Sequence, residues 1–390
     1  STEEESSSTD SEEEEDESDE DPDDDRRLFR IFAKRIQWSD QSLAYRSQVA
    51  EDVVADLLDV FQERLSSTSF PVLQPVIGVG SAFEGWSPHE EDAVFCLLVP
   101  LKPPRGHTFH LELGTAGQMP AKFSCIRVEL ECTCRSHQLG EDMLCFLHHP
   151  EDELRRKQGA SLLGTLCTGS YLDAQKTARW FQHLVMSAWG DMPQSHHYRM
   201  NVLPSSRSCK LQLTNASGET LFIELVFGVQ QGDSDIFLSS EPTEATISTP
   251  STLWPESYAV AEVYFFRHMA RQAPQDALHL KCLQLCARIL VGTDFSSYVL
   301  KTVVMHLLNT IPLSSWRRRE FLMRLQDIMC YLQSCLEEKC LNHFLFGNDN
   351  MPEDIILPPA FQRAQPLNLF QRLVQDPTAH AKALRDFEEL

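Results

Sequence analysis

At 390 residues and 42% hydrophobic composition, the chain is long enough to bury a substantial core and to form two or three lobes. Its net charge of −23 is lopsided, because sixteen acids and no Lys or Arg fall within residues 1–25, and the remainder is only mildly acidic. That balance argues against nucleic-acid binding, which rests on clustered Lys and Arg, and no run reaches the ~18 apolar residues of a membrane helix.

Residues 1–25 are a Ser/Glu/Asp tract with almost nothing apolar. Such a segment cannot repay the entropy of ordering, so a disordered, self-repelling tail or linker is expected. The chain starts at Ser1 without Met, which suggests a fragment or processed product with an upstream segment outside it. From Arg26 the character changes. Leu28, Ile31, Phe32 and Ile36, then Val49, Val53, Val54, Leu57, Leu58 and Phe61, recur at helical spacing and predict amphipathic helices.

Those helices lead into residues 78–100. Gly78 and Gly80 permit a tight turn and close backbone approach to a ligand, and Ser81 adds a hydroxyl beside free N–H groups, a pattern suited to phosphate oxygens. Glu90, Glu91 and Asp92 then open an apolar run over 93–101, read as a buried strand. On a strand start, Glu90 and Asp92 share a face, which suits Mg²⁺ held by two carboxylates and substrate phosphates. The competing reading is a solvated turn with three surface acids.

Alternation over 109–113 and 125–134 predicts half-buried strands pairing antiparallel with that first strand. Cys132 and Cys134 would share one face. Neither has a second Cys/His pair at zinc spacing, and the adjacent His148 and His149 should diverge, so metal binding is not expected there. The twelve cysteines mostly sit in apolar patterns and read as reduced thiols. Gly169 and Ser170 repeat the Gly-Ser pair without a following acidic strand. A helix is expected from about Asp173, with that residue as its cap.

The alternating runs at 209–214 and 220–228, joined by Asn215-Ala-Ser-Gly218, predict a hairpin. Glu224 stands inside its apolar second strand, where a carboxylate is costly unless paired, liganded or turned outward. Pro255 reads as the first residue of a helix over 256–271, and further helices are expected over 279–291, 296–309 and 316–335. The basic cluster at 316–319 reads as a solvated face.

Gly80-Ser81, Glu90-x-Asp92 and Glu224, with the helical segment Phe295-Ser-Ser-Tyr-Val-Leu-Lys-Thr302, together resemble the Mab-21 nucleotidyltransferase-fold superfamily, which includes the cyclic GMP-AMP synthases. Trp254-Pro-Glu-Ser-Tyr-Ala-Val-Ala-Glu262, Lys339-Cys-Leu-Asn-His-Phe344 and Pro366-Leu-Asn-Leu-Phe370 narrow the resemblance to the inositol 1,4,5-trisphosphate receptor-interacting protein family, from about Arg26 to Leu390. It implies an α+β fold in two lobes: a nucleotidyltransferase-like lobe with a mixed β-sheet over 26–250 after the tail of 1–25, and a helical Mab-21-like lobe over 251–390, with a ligand cleft between them. It further implies a single-pass membrane protein whose span precedes Ser1, with this domain on the cytoplasmic side, and a membrane receptor as partner.

Carried over by the resemblance, Gly80 and Ser81 would contact phosphate. Glu90, Asp92 and Glu224 would be the catalytic carboxylates holding Mg²⁺ or Mn²⁺, and Ser297 and Tyr298 would hold nucleotide. Two departures count against catalysis. Glu224 stands where Asp is usual, and the added methylene shifts its carboxylate by about an angstrom, which near-octahedral Mg²⁺ tolerates poorly. The zinc thumb of the DNA-sensing relatives, one His and three Cys ahead of the helix at Cys282, is absent. The leading expectation is a regulatory binding protein on an inactive nucleotidyltransferase fold. The rivals are an active metal-dependent nucleotidyltransferase and, third, a nucleic-acid sensor.

Overall fold

The computed structural model describes residues 40–113, 122–134, 144–157 and 159–389. The acidic tail and the helix expected around Leu28 to Ile36 lie outside these residues. Helix α1 (Asp40–Leu65) carries the apolar positions anticipated from its spacing, and Val53, Val54, Leu57 and Phe61 are buried along one face. Strands β1 (Val72–Leu73) and β2 (Ile77–Val79) follow, then a single-turn helix α2 (Ser81–Glu84) and the long strand β3 (Val94–Lys102).

Next come β4 (His107–Leu113), β5 (Phe123–Leu130), the short helices α3 (Glu151–Lys157) and α4 (Leu162–Thr165), and the small strands β6 (Cys167–Thr168) and β7 (Tyr171–Leu172). Helix α5 (Ala174–Ala188) starts where the sequence placed it. The Asp173 carboxylate accepts from the Gln175 and Lys176 amides, and it also accepts hydrogen bonds from the Thr168 and Ser251 hydroxyls. Those donors hold the Asp173 acid below its usual range, outweighing the burial that opposes them.

The expected hairpin is β9 (Cys209–Asn215) with β10 (Thr220–Gln230), flanked by β8 (Tyr198–Leu203). Its turn uses Gly218 at φ 81, and the Asn215 side chain accepts from the amides of Ser217 and Glu219. Strand β10 is the hub of a twelve-stranded sheet. It runs antiparallel to β9, and parallel to β3 from Phe222↔Val94 to Gly228↔Pro100. The sheet is therefore mixed. It continues through β11 (Phe237–Ser239) and β12 (Leu253–Ser257) to β5.

Two strand-level expectations are corrected. Strand β5 pairs with β4 and reaches the rest of the sheet through β12, so it is not a neighbour of β3. Pro255 does not open a helix; it lies in β12 opposite Phe123, and the helix begins only at Ala259. The apolar pair Leu253-Trp254 is worth more buried in the sheet than spent on a helix turn, and Trp254 is fully enclosed, its indole N–H donating to the Leu172 carbonyl at 2.9 Å.

The C-terminal part is helical, as expected: α6 (Ala259–Gln272), α7 (His279–Ile289), α8 (Ser297–Thr310) and α9 (Phe321–Glu338). Trp316, expected on a solvated basic face, is fully buried, and only the arginines after it are outside. The first lobe packs its core around Phe61, Phe181 and Phe227, whose rings meet at 5.3 and 5.0 Å between centroids. All twelve cysteines are free thiols.

The single-pass membrane placement, with this domain on the cytoplasmic side, is also corrected. No helix among the described residues is long and apolar enough to cross a membrane, since even α8, the most apolar stretch of the helical lobe, is a packed core helix carrying Lys301 on its buried face.

Candidate functional site

The Gly-Ser turn forms as its glycines require. Gly80 has φ 82, a left-handed conformation that side chains resist, and a Cβ on Gly78 would lie 2.4 Å from the Phe83 ring. Ser81 opens α2, and its carbonyl accepts from the amides of Gly85 and Trp86. The turn thus hands the chain straight to Glu84.

Glu84 is where the lobes meet. Its side chain is fully buried, accepting from the Trp86 indole at 2.7 Å and from Lys301 Nζ on α8 at 2.6 Å. Lys301 Nζ also lies 2.8 Å from Glu262 on α6, whose other oxygen accepts from the Tyr298 hydroxyl at 3.3 Å. His343 completes the chain. Its Nδ1 accepts from the Leu345 amide, so Nε2 carries the ring proton and donates to the Tyr298 oxygen at 2.9 Å.

The charges of this network follow from enclosure and pairing. Burial pushes the Glu262 acid up, with Lys301 opposing. The two carboxylates hold the Lys301 ammonium firmly protonated against its own burial. His343 is pushed down to about 3 by burial, so the neutral ring required by its hydrogen bonds is the stable form.

The predicted carboxylates are distributed differently. Glu90, Glu91 and Asp92 lie in a turn ahead of β3, two residues before the strand begins, so the same-face geometry of a strand does not apply to them. Arg46 on α1 donates to the carbonyls of Glu90, Glu91 and Thr220, and Arg288 on α7 donates to Pro88 O at 2.6 Å. Gln284 grips the same turn through Ser87 O at 2.7 Å and the Glu90 carboxylate at 3.2 Å. Asp92 is exposed.

Glu224 is in register with Cys96 on one side and Lys210 on the other, on the half-exposed face of β10. It accepts from the Ser208 hydroxyl at 2.7 Å, and Lys210 Nζ stands 3.9 Å away, which answers how an apolar strand tolerates a carboxylate. Among the described residues, Glu90, Asp92 and Glu224 are not among the side chains grouped closely enough to hold a metal ion. Mg²⁺ needs its carboxylates converged at about 2.0–2.1 Å from one point. Ser297 is exposed in the first turn of α8, capped by the Ser296 side chain, while Tyr298 is turned into the buried network.

Three residues of this region escaped the sequence: Glu84, Glu262 and Glu241. Glu84 and Glu262 are each a lone acid among apolar neighbours, which is the signal that singled out Glu224 and could have found them, whereas Glu241 sits in the polar run Ser239-Ser-Glu-Pro-Thr-Glu244 and gives no such signal. Glu241, just past β11, is held above the usual carboxylate range by burial first, then by Glu224 and Glu262. A group whose folded pKa is raised contributes stability that is present below its unfolded pKa and lost as pH rises through the folded one. Glu241→Gln is therefore expected to melt higher than the parent at neutral pH, with the difference vanishing as pH falls below the ordinary Glu range. A melting series showing equal destabilisation at every pH would mean that the carboxylate is a needed acceptor.

A cavity of about 790 Å³ lies in the helical lobe, lined by His306, Arg324 and Tyr331 among others. None of the predicted site residues lines it, so its size gives it no claim on the chemistry expected at Ser81.

A family model described as the Mab-21 protein HhH/H2TH-like domain matches residues 280–356, the segment holding Gln284, Arg288, Tyr298, Lys301 and His343. This agrees with the two-lobed, nucleotidyltransferase-like α+β fold. Over 367 residues the chain is 36% identical to inositol 1,4,5-trisphosphate receptor-interacting protein-like 1 of Rattus norvegicus, covering 91% of this chain and 66% of that relative. Over 384 residues it is 30% identical to inositol 1,4,5-trisphosphate receptor-interacting protein of Homo sapiens, covering 93% of this chain and 70% of the relative. The match to the same protein of Danio rerio is 30% over 360 residues, 87% of this chain and 66% of the relative. The chain thus spans about two thirds of the length of these relatives.

Proposed function

Because the chain belongs to the inositol 1,4,5-trisphosphate receptor-interacting protein family, we propose that it is a regulatory binding protein, with a nucleotidyltransferase fold serving as a docking scaffold and not as an enzyme. The partner class is a receptor. The inositol trisphosphate receptor is the first to test, on the strength of the relatives' names alone.

The observation that carries the inactive reading is the engagement of the carboxylates. Glu90 is tied to Gln284 and Glu224 to Ser208. Two-metal catalysis needs them free and aimed at one place, where they would activate a hydroxyl and neutralise departing pyrophosphate. A Lys301 bridge buried between the Gly-Ser segment and the helical lobe further favours a fixed relation of the two over an opening cleft.

The binding half of the proposal is tested by capture of purified inositol trisphosphate receptor on the immobilised chain. Saturable retention, unchanged by Mg²⁺ with ATP or GTP, is expected. A chain that melts cooperatively yet retains no receptor above a blank surface would remove this receptor as partner.

A further inference from the structure

Cys132, Cys134 and His148, not expected from their spacing along the chain to bind metal, are brought together with Cys145 by the fold. Strand β5 ends at Leu130, so Cys132 and Cys134 sit on the chain just beyond it, free of strand geometry. Cys145 and His148 occupy the turn that leads to α3. Their ligand atoms, three Sγ and one Nδ1, all lie within 4.8 Å of one another.

The detailed distances are those of a coordination shell. His148 Nδ1 stands 3.4 Å from Cys132 Sγ, 3.1 Å from Cys134 Sγ and 3.5 Å from Cys145 Sγ. A tetrahedral Zn²⁺ with Zn–S of about 2.3 Å and Zn–N of about 2.0–2.1 Å separates sulfur from nitrogen by roughly 3.5 Å. Hydrogen bonding among neutral groups explains the cluster less well. A neutral imidazole nitrogen accepts one proton, so a single thiol could use Nδ1 and the other two would crowd it without reward.

Cys145 is buried while the other three ligands are exposed. The turn is fixed independently of any ion. The His148 and His149 amides both bond to Cys145 O, and the Phe146 ring packs on His107 at 4.9 Å between centroids. The Glu131 amide ties the other limb to Gly106 O at 2.8 Å.

We infer that Cys132, Cys134, Cys145 and His148 bind one structural Zn²⁺ in a tetrahedral Cys₃His site, fastening the end of β5 to the turn before α3. Four protein ligands leave no open position, which marks a structural site, and three thiolates select zinc over Mg²⁺ or Ca²⁺. The site lies on a different segment from the thumb position ahead of Cys282. It owes nothing to the acids near Ser81.

The test is the metal content of the full chain, purified under reducing conditions without a polyhistidine tag, by mass spectrometry of the elements. About one zinc per chain is expected, falling to near zero in the double variant Cys134→Ser/Cys145→Ser and unchanged in His149→Ala. Because the double variant could fail to fold, the parent is also stripped and titrated with Co²⁺. Tetrahedral ligand-field bands and a thiolate-to-cobalt charge-transfer band, saturating at about one equivalent and bleached by Zn²⁺, are the expected outcome. Absence of those bands in the reduced parent, or zinc retained in full by the folded double variant as an adventitious ion only, overturns the site.

Discussion

Lys301→Met is expected to destabilise the protein by about 3–5 kcal/mol, the cost typical of removing one partner from a buried ion pair. Methionine fills the space of the lysine stem, so packing changes little. The loss comes from Glu84 and Glu262, both buried and left without their shared cation. The sign with pH follows from Glu262, whose folded pKa is already raised by burial and rises further without Lys301. Stability linked to such a group is present below its unfolded pKa and lost as pH rises through the folded one, so the variant should recover part of its deficit on acidification. Adding Glu84→Gln and Glu262→Gln to Lys301→Met should restore much of the loss at neutral pH. Chemical denaturation of the three proteins checks this, and a loss below about 1 kcal/mol would mean that water reaches the network.

Trp254→Ala should cost about as much, roughly 3–5 kcal/mol. Trp254 is fully buried where β12 joins β5 to the rest of the sheet, and its removal leaves both a cavity and the Leu172 carbonyl without its donor. Trp254→Phe separates the two effects. It keeps most of the volume and still orphans the carbonyl, for which about 1–3 kcal/mol is expected. Against a total stability of about 5–15 kcal/mol, the alanine variant should be visibly less soluble on expression, while the phenylalanine variant should fold. Equal melting of Trp254→Phe and parent would show that the indole hydrogen bond contributes nothing net.

What was legible in the sequence was whatever depends on neighbours along the chain. The left-handed Gly80, the Asp173 cap, the hairpin around Asn215 and the helices opening at His279 and Ser297 are each fixed by local steric and hydrogen-bonding rules and stand where those rules put them, whereas the helix expected from Trp316 opens only at Phe321, past the buried indole. What was hidden depends on partners far away. Glu84 and Lys301 are separated by 217 positions, and nothing local says that one charge will meet the other. Pro255 satisfied the rule for a first helical residue and lost to the burial of Trp254 beside it. The Cys₃His cluster is hidden along the chain because neither Cys132 nor Cys134 has a second Cys/His pair at zinc spacing; the pairing that gives it away is Cys145 and His148, three apart on a turn.

Scaffold and enzyme are separated by nucleotide consumption by the purified chain in the presence of Mg²⁺ or Mn²⁺ with ATP and GTP, followed by separation of products. For a scaffold that is not an enzyme, no consumption above buffer is expected, and no difference between the parent and Asp92→Asn. Metal-dependent release of pyrophosphate that Asp92→Asn abolishes would contradict that reading and make this chain an enzyme.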